Sequence, residues 1–196
     1  MMSNKELYLN DGVGDRYFLR RKSVLDEMTK EYQSDPVYIA VKALGLKGSY
    51  LEIGCSNGWR LDVLGLDGYG IDPSREAICG NERLRYGTAD DLPFSGHSFD
   101  IVCFGFCLYA VDNNDLFKIA YEADRVSREY IIIYDFIVDG YVYKPNPDCP
   151  AITTCKMDYS KMFEWHPNYS KIYSRRHSQV LGQGEVEVSV FKKLKP

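Results

Sequence analysis

No stretch of this chain approaches the ~20 consecutive apolar residues that a membrane-spanning helix requires. Its first residues, MMSNKELYLNDGVGDRYFLRRK, hold no apolar block of signal-peptide length. A cytoplasmic protein without a membrane partner is therefore expected. A dominant charge sign is also lacking. The 24 basic and 28 acidic residues leave a formal net charge of −4, which argues against a general electrostatic grip on nucleic acid. Two local basic clusters, Arg20-Arg21-Lys22 and Arg175-Arg176, read most simply as solvated surface. Histidine is scarce, with three residues (His97, His166, His177) at no ligand spacing, and none of the six cysteines forms a C-x-x-C pair. No metal site is expected. Without a secretion signal the cysteines read as free thiols, with Cys55, Cys103 and Cys107 in apolar, core-like segments.

What is present is alternation. The 196 residues suit one domain, with 45% apolar and 27% charged residues. Residues 1–22 are polar with two glycines and suggest an irregular arm. Residues 23–33 are predicted helical, and a second helix starts at Asp35-Pro36, an N-cap followed by a first-turn proline, ending near Gly45. Strands are predicted over 49–53, 68–71, 85–88, 99–104 and 130–136. Helices fall between them, to about Leu64, from Pro73-Ser74 toward Leu84, and over 113–129. Continuous apolar strands separated by helices indicate a parallel sheet covered on both faces. The expected fold is α/β, a doubly wound Rossmann-like sheet of about seven strands, mostly parallel. Residues 173–177 and 186–194, joined through Gly182-Gln183-Gly184, predict a C-terminal antiparallel hairpin. The chain thus divides into N-terminal arm and helices (1–45), core (46–136), an aromatic-rich insertion (137–172) and terminal strands (173–196).

Ligands of such sheets sit at the carboxyl ends of the strands. There the sequence places YLEIGCSNGW, a buried strand running into a turn. Gly54 and Gly58 let backbone approach a ligand closely. Glu52 precedes the turn, and Asp72 ends the next strand, eighteen residues after Gly54, where a carboxylate accepts from ribose hydroxyls. A helix N-cap beside Pro73 is the plainer alternative for Asp72. A dinucleotide pyrophosphate at the glycine turn would be repelled by Glu52, whereas a sulfonium cofactor with an ammonium group would be attracted.

YLEIGCSNGWRLDVL resembles the first motif of class I S-adenosylmethionine-dependent methyltransferases. GYGIDPSREAI, GTADDLPFSGHSFDIVCFGFCLYAV and RVSREYIIIYDF are similar to the motifs that follow in that family, in order and spacing over residues 49–136. The resemblance implies S-adenosylmethionine as cofactor. It places Glu52, Gly54, Cys55, Ser56 and Gly58 around the methionine part, and Asp72, Pro73 and Ser74 at the ribose. Ala89 and Asp90 border the adenine, and Phe104, Gly105 and Phe106 lie at the strand end beneath. Two positions depart from the family pattern. Ser56 replaces the middle glycine, and Thr88 stands where an acidic residue is frequent. If Ser56 needs a positive φ, the strain is on the order of 1 kcal/mol or more.

The asparagine–proline–proline–aromatic motif of amino-methylating relatives is not matched at Gly105-Phe106-Cys107-Leu108. The 137–172 insertion, with Tyr141, Tyr143, Lys144, Asp158, Tyr159, Lys161, Trp165, His166 and Tyr169, is expected to bind a small-molecule acceptor such as a sugar or nucleotide-sugar hydroxyl. His166 is the candidate base, set against a plain helix-end histidine before Pro167. Tyr109 is the candidate acceptor contact, set against core packing. The N-terminal segment, with Tyr8, Tyr17, Phe18 and Arg20, is read as a lid or as a mobile arm. Two other functions compete: a non-catalytic cofactor-binding or scaffold protein, and an NAD-dependent dehydrogenase.

Overall fold

A computed structural model of the protein describes residues 2–178 and 184–194. The N-terminal segment is helical rather than irregular. α1 (Asn4–Asn10) starts from a capping box, in which Ser3 accepts from Glu6 N and the Glu6 side chain accepts from Ser3 N. α2 (Val13–Lys30) follows after Gly12, so the helix predicted over 23–33 is the second half of a longer one. α3 (Pro36–Ala43) begins as expected, with the Asp35 side chain accepting from Tyr38 N at 2.9 Å.

The core alternates as predicted: β1 (Ser49–Ile53), α4 (Trp59–Leu64), β2 (Asp67–Asp72), α5 (Arg75–Ile78), β3 (Leu84–Tyr86), β4 (Phe99–Gly105), α6 (Leu116–Val126) and β5 (Ser127–Ile137). α5 is a single turn rather than a helix running toward Leu84, and α6 is shorter than 113–129, giving way to β5 at Ser127. Residues 137–172 hold a small antiparallel pair, β6 (Val142–Pro145) and β7 (Thr153–Lys156), and the one-turn α7 (Lys161–Glu164). β8 (Tyr169–Ser178) and β9 (Glu185–Lys193) form the terminal antiparallel hairpin. Gly182 and Gln183 of its expected connection lie outside the described residues.

The main sheet has the order β3-β2-β1-β4-β5-β9-β8. β1 to β5 are parallel and β9 enters antiparallel between β5 and β8. Strand alternation assigns the two faces. Leu51, Ile53, Val102, Ile131 and Ile133 pack with Ile119, Ala123 and Val126 of α6. Tyr50, Ile101, Cys103 and Ile132 pack with Val37 and Val41 of α3 and Leu61 and Leu64 of α4. The strand order reverses between β1 and β4, which marks the crevice where such sheets hold ligands. No helix among the described residues is long and apolar enough to cross a membrane.

Candidate active site

A cavity of about 240 Å³ opens at that reversal. Its floor is the carboxyl ends of the strands: Gly54, Cys55 and Ser56 after β1, Asp72 and Pro73 at β2, Thr88 to Asp90 after β3, and Gly105 to Cys107 after β4. Its roof is the N-terminal segment, through Lys5 and Tyr8 near α1 and Gly14, Tyr17, Phe18, Arg21, Leu25 and Met28 of α2.

The roof is held down chiefly at one end. Gly14 packs so tightly on the 73–74 peptide that a Cβ there would lie 2.7 Å from the Pro73 carbonyl oxygen. Asp15 accepts from the Ser74 hydroxyl at 2.8 Å and from Glu76 N at 3.0 Å. Lys5 pairs with Asp90 at 2.7 Å, and the Asn4 amide nitrogen donates to Asp112 at 2.8 Å. Residues 137–172 brace the roof from outside. Asp148 holds Arg20, and Thr153 O accepts from the Asn4 side chain. None of the described residues in that segment lines the cavity, so the expected acceptor-binding insertion is a support for α1 and α2.

Asp72 sits in the wall between Ser56 and Ser74, accepting from their backbone nitrogens at 2.7 and 2.9 Å. It is not the cap of α5, because the Ser74 side chain takes that place by accepting from Ala77 N at 3.0 Å. Each carboxylate oxygen of Asp72 keeps a lone pair for a ligand. Burial lifts its carboxyl to about 6 against the two backbone donors.

Ser56 has φ +51, so the position does adopt the left-handed conformation that a glycine takes without strain. The cost, on the order of 1 kcal/mol, is offset by the short bond from its nitrogen to Asp72. Gly54 has no such latitude. Its φ is +73 and a Cβ would fall 2.4 Å from Cβ of Cys107. Gly58 is the left-handed N-cap of α4.

Glu52 departs from expectation. Strand alternation turns it to the α3–α4 face, 1% exposed, where Oε1 accepts from Arg60 Nη1 at 2.5 Å. Arg60 in turn donates through Nε and Nη2 to Asp35 at 3.1 Å and stacks on Trp59 and Tyr134. Glu52 Oε2 is buried with no hydrogen-bond partner, and burial lifts the carboxyl to about 7 against the pull of Arg60. The pair reaches the cavity through Gly105, where a Cβ would meet Glu52 Oε1 at 2.2 Å and Arg60 Nη1 at 3.0 Å. The sequence reading missed Arg60; its signal was a lone cation inside the apolar helix WRLDVL.

Of the remaining candidates, Ala89, Asp90, Phe106 and Tyr109 line the cavity, while Phe104 is fully buried in the α6-side core. Asp90 is held near 2 by Lys5, Thr88 and Lys118, although partial burial opposes them. The Tyr109 hydroxyl meets that of Tyr17 at 3.0 Å, and burial, then Tyr17, pushes it well above the ordinary tyrosine value. His166 lies outside the cavity, against Phe163 and Tyr169, accepting from Asn168 N through Nδ1. The structure thus places it just past α7, away from the cavity. Trp165 is 84% exposed. No cluster of metal-binding side chains occurs among the described residues.

Residues 51–131 match the family described as methyltransferase domain. The fold is the one shared by S-adenosylmethionine-dependent methyltransferases of known structure. S-adenosylmethionine is the cofactor that the domain implies, and the site fits it. Asp72 offers acceptors to a diol, the glycine turn leaves room for close approach, and Glu52, whose Oε1 lies beneath Gly105, keeps Oε2 as a buried acceptor without a partner. No curated relative matches the chain. Among solved structures, a S-adenosylmethionine-dependent methyltransferase of Leishmania major is similar over 98% of this chain and 87% of its own, with a TM-score of 0.69 at 10% identity. The Burkholderia thailandensis 1,6-didemethyltoxoflavin-N1-methyltransferase, with bound 1,6-didemethyltoxoflavin and S-adenosylhomocysteine, covers 93% and 91% with a TM-score of 0.64 at 15% identity. A Methanosarcina mazei methyltransferase covers 76% and 94% with a TM-score of 0.61 at 18% identity. At these identities the likeness is one of fold.

Buried carboxyls make this protein sensitive to pH. Glu52 and Asp135 are lifted to about 7 and Asp72 to about 6, each by burial. A carboxyl with a raised folded-state pKa binds more protons folded than unfolded. Its stabilising contribution is therefore complete below the unfolded value and is lost as pH rises through 6 to 7. His177, which burial lowers, opposes these three with one group. The ligand-free protein is expected to be more stable at pH 5 than at pH 8 by on the order of 1 kcal/mol or more. Urea midpoints at the two pH values check this, and an equal or higher midpoint at pH 8 contradicts it.

Proposed function

We propose that this protein transfers a methyl group from S-adenosylmethionine to a small-molecule acceptor held beneath α2. The observation that carries this is the course of the cavity. It runs from Asp90 and Asp72, past Gly54 and Gly105, to a space walled by Tyr17, Trp59, Phe106, Tyr109 and Tyr134. In this reading Thr88, Ala89 and Asp90 border the adenine, and Asp72, with Pro73 beside it, accepts from the ribose hydroxyls. The turn from Gly54 to Gly58 holds the methionine tail, with Glu52 Oε2 and the Ser56 hydroxyl as its polar partners. Bound cofactor supplies an electrophilic methyl group on a cationic sulfur. The chain's part is to align the acceptor with it and exclude water, which can supply much of the rate.

A sugar or nucleotide-sugar hydroxyl would require a base to take its proton. His166 is outside the cavity, and burial keeps Tyr109 protonated, so the hydroxyl pair of Tyr17 and Tyr109 orients rather than deprotonates. The structure therefore gives the hydroxyl acceptor no support, and an attacking atom that is nucleophilic without a protein base suits the site better. The same lack of a base is what favours the second reading, a non-catalytic cofactor-binding protein.

Incubation with S-adenosylmethionine and a metabolite extract decides between them. Formation of S-adenosylhomocysteine that depends on extract, and survives removal of macromolecules above ~5 kDa, is the expected result. Cofactor binding with no turnover on any extract would support the non-catalytic reading.

A further inference from the structure

Three cationic side chains line the cavity: Lys5, Arg21 and Arg60. Two of them are occupied. Lys5 is paired with Asp90, and Arg60 with Asp35 and Glu52. Arg20, the neighbour of Arg21 on α2, is held by both oxygens of Asp148. Arg21 alone of the lining cations has no ion pair or hydrogen bond among the described residues. It is half-buried on the same stripe of α2 as Tyr17, Leu25 and Met28. A partly desolvated guanidinium without a partner is costly until an anion supplies one, and its planar fork matches a carboxylate.

Position along α2 indicates which end of the cavity Arg21 serves. Gly14 lies on the 73–74 peptide, at the ribose end. Tyr17 meets Tyr109 above the end of β4. Arg21 is one turn further, and seven residues from Gly14 correspond to about 10 Å of helix. The carboxylates that line the cavity come from the end of β2 (Asp72) and from the segments following β3 (Asp90) and β4 (Asp112, Asp115); α2 contributes no acidic side chain to the lining. Around the far end stand planar side chains, Trp59, Phe106, Tyr109 and Tyr134. A cation over aromatic walls, with the Tyr17–Tyr109 hydroxyl pair beside it, complements a flat acceptor bearing an anionic oxygen pair.

Resting on the methyltransferase reading, we propose that the acceptor is a small aromatic carboxylate whose anionic group is received by Arg21 and the Tyr17–Tyr109 hydroxyl pair. The neighbouring face of the acceptor lies on the aromatic wall. The same cation chemistry could be claimed by the carboxylate of the cofactor's own methionine tail, and the experiment separates the two.

Protein saturated with S-adenosylhomocysteine is titrated calorimetrically with benzoate and phenylacetate, and in parallel with benzamide and phenylacetamide. The acids are expected to bind with dissociation constants of ~1 mM or tighter, and the amides at least tenfold more weakly. Arg21→Met is expected to weaken the acids at least tenfold while its S-adenosylhomocysteine affinity stays within twofold and its melting temperature is unchanged. Arg21→Lys, which keeps the charge without the fork, should fall between. Equal binding of acids and amides, or binding of neither, overturns the proposal. So does a tenfold loss of S-adenosylhomocysteine affinity in Arg21→Met with the acids unaffected, which would assign Arg21 to the cofactor carboxylate. Failure of S-adenosylhomocysteine to bind wild type would instead strike the methyltransferase reading itself.

Discussion

Asp72→Ala is expected to weaken S-adenosylhomocysteine binding by about 100-fold, a loss of about 2.7 kcal/mol. Hydrogen bonds to a charged group contribute about 1.5–3 kcal/mol each, and in the proposed binding mode the ribose presents two hydroxyls to this carboxylate. The substitution also releases the nitrogens of Ser56 and Ser74, which Asp72 holds at 2.7 and 2.9 Å. Ser56 then has nothing to offset its left-handed backbone, so the methionine loop loses order together with the ribose contact. Asp72→Asn keeps one acceptor oxygen and is expected to cost about tenfold. Calorimetric titration of the three proteins checks the series. A change of less than fivefold in the alanine variant would show that Asp72 only ties the two loops together.

The second large effect concerns Arg60, which is 4% exposed and bridges two carboxylates from different elements. Arg60→Met preserves much of the side-chain volume but leaves Asp35 and Glu52 buried without their cation. Removing one partner of a buried ion pair costs about 3–5 kcal/mol. In a chain of this size 1 kcal/mol corresponds to about 2–4 °C, so the melting temperature should fall by roughly 6–20 °C. Adding Glu52→Gln to Arg60→Met removes one of the stranded charges and should recover part of the loss. A shift under about 2 °C in the single variant, by differential scanning calorimetry, would mean that the network is hydrated and contributes little. The network also fixes Glu52 and Arg60 beneath Gly105, where only a residue without a Cβ leaves room for Oε1 and the guanidinium.

The parts of the fold that pack against core were legible in the residues. β1 was bounded correctly at Ser49 and Ile53, and α3 was marked by the Asp35-Pro36 cap, because burial and capping write regular patterns. α2 was only half recognised for the opposite reason. Its inward stripe is Gly14, Tyr17, Phe18, Arg21, Leu25 and Met28, and it faces a ligand cavity rather than a core. A glycine and an arginine interrupt the apolar periodicity there, and the capping box from Ser3 to Glu6 passed unread. The floor of the cavity was legible because Asp72, the Gly54–Gly58 turn and the Thr88–Asp90 stretch are local to strand ends. The roof was not, since it depends on which distant elements fold over the strands. The aromatic segment 137–172 looked like the acceptor site by composition, yet it props up the roof through Asp148 and Thr153. His166 was placed by the same reasoning and lies with α7 and β8 instead. Glu52 was read from its charge before the glycine turn and from its place in the motif; its direction followed from strand alternation, and its partner Arg60 only from the packing of α4.

The central claim is that the cavity between the strand ends and the two N-terminal helices is a cofactor site for S-adenosylmethionine. Titration of the wild-type protein with S-adenosylhomocysteine, alongside NADH, tests it most directly. One saturable site with a dissociation constant of ~100 μM or tighter for S-adenosylhomocysteine, and no heat with NADH, is the expected result. No binding of S-adenosylhomocysteine at ~1 mM, or its displacement by NADH, would contradict it.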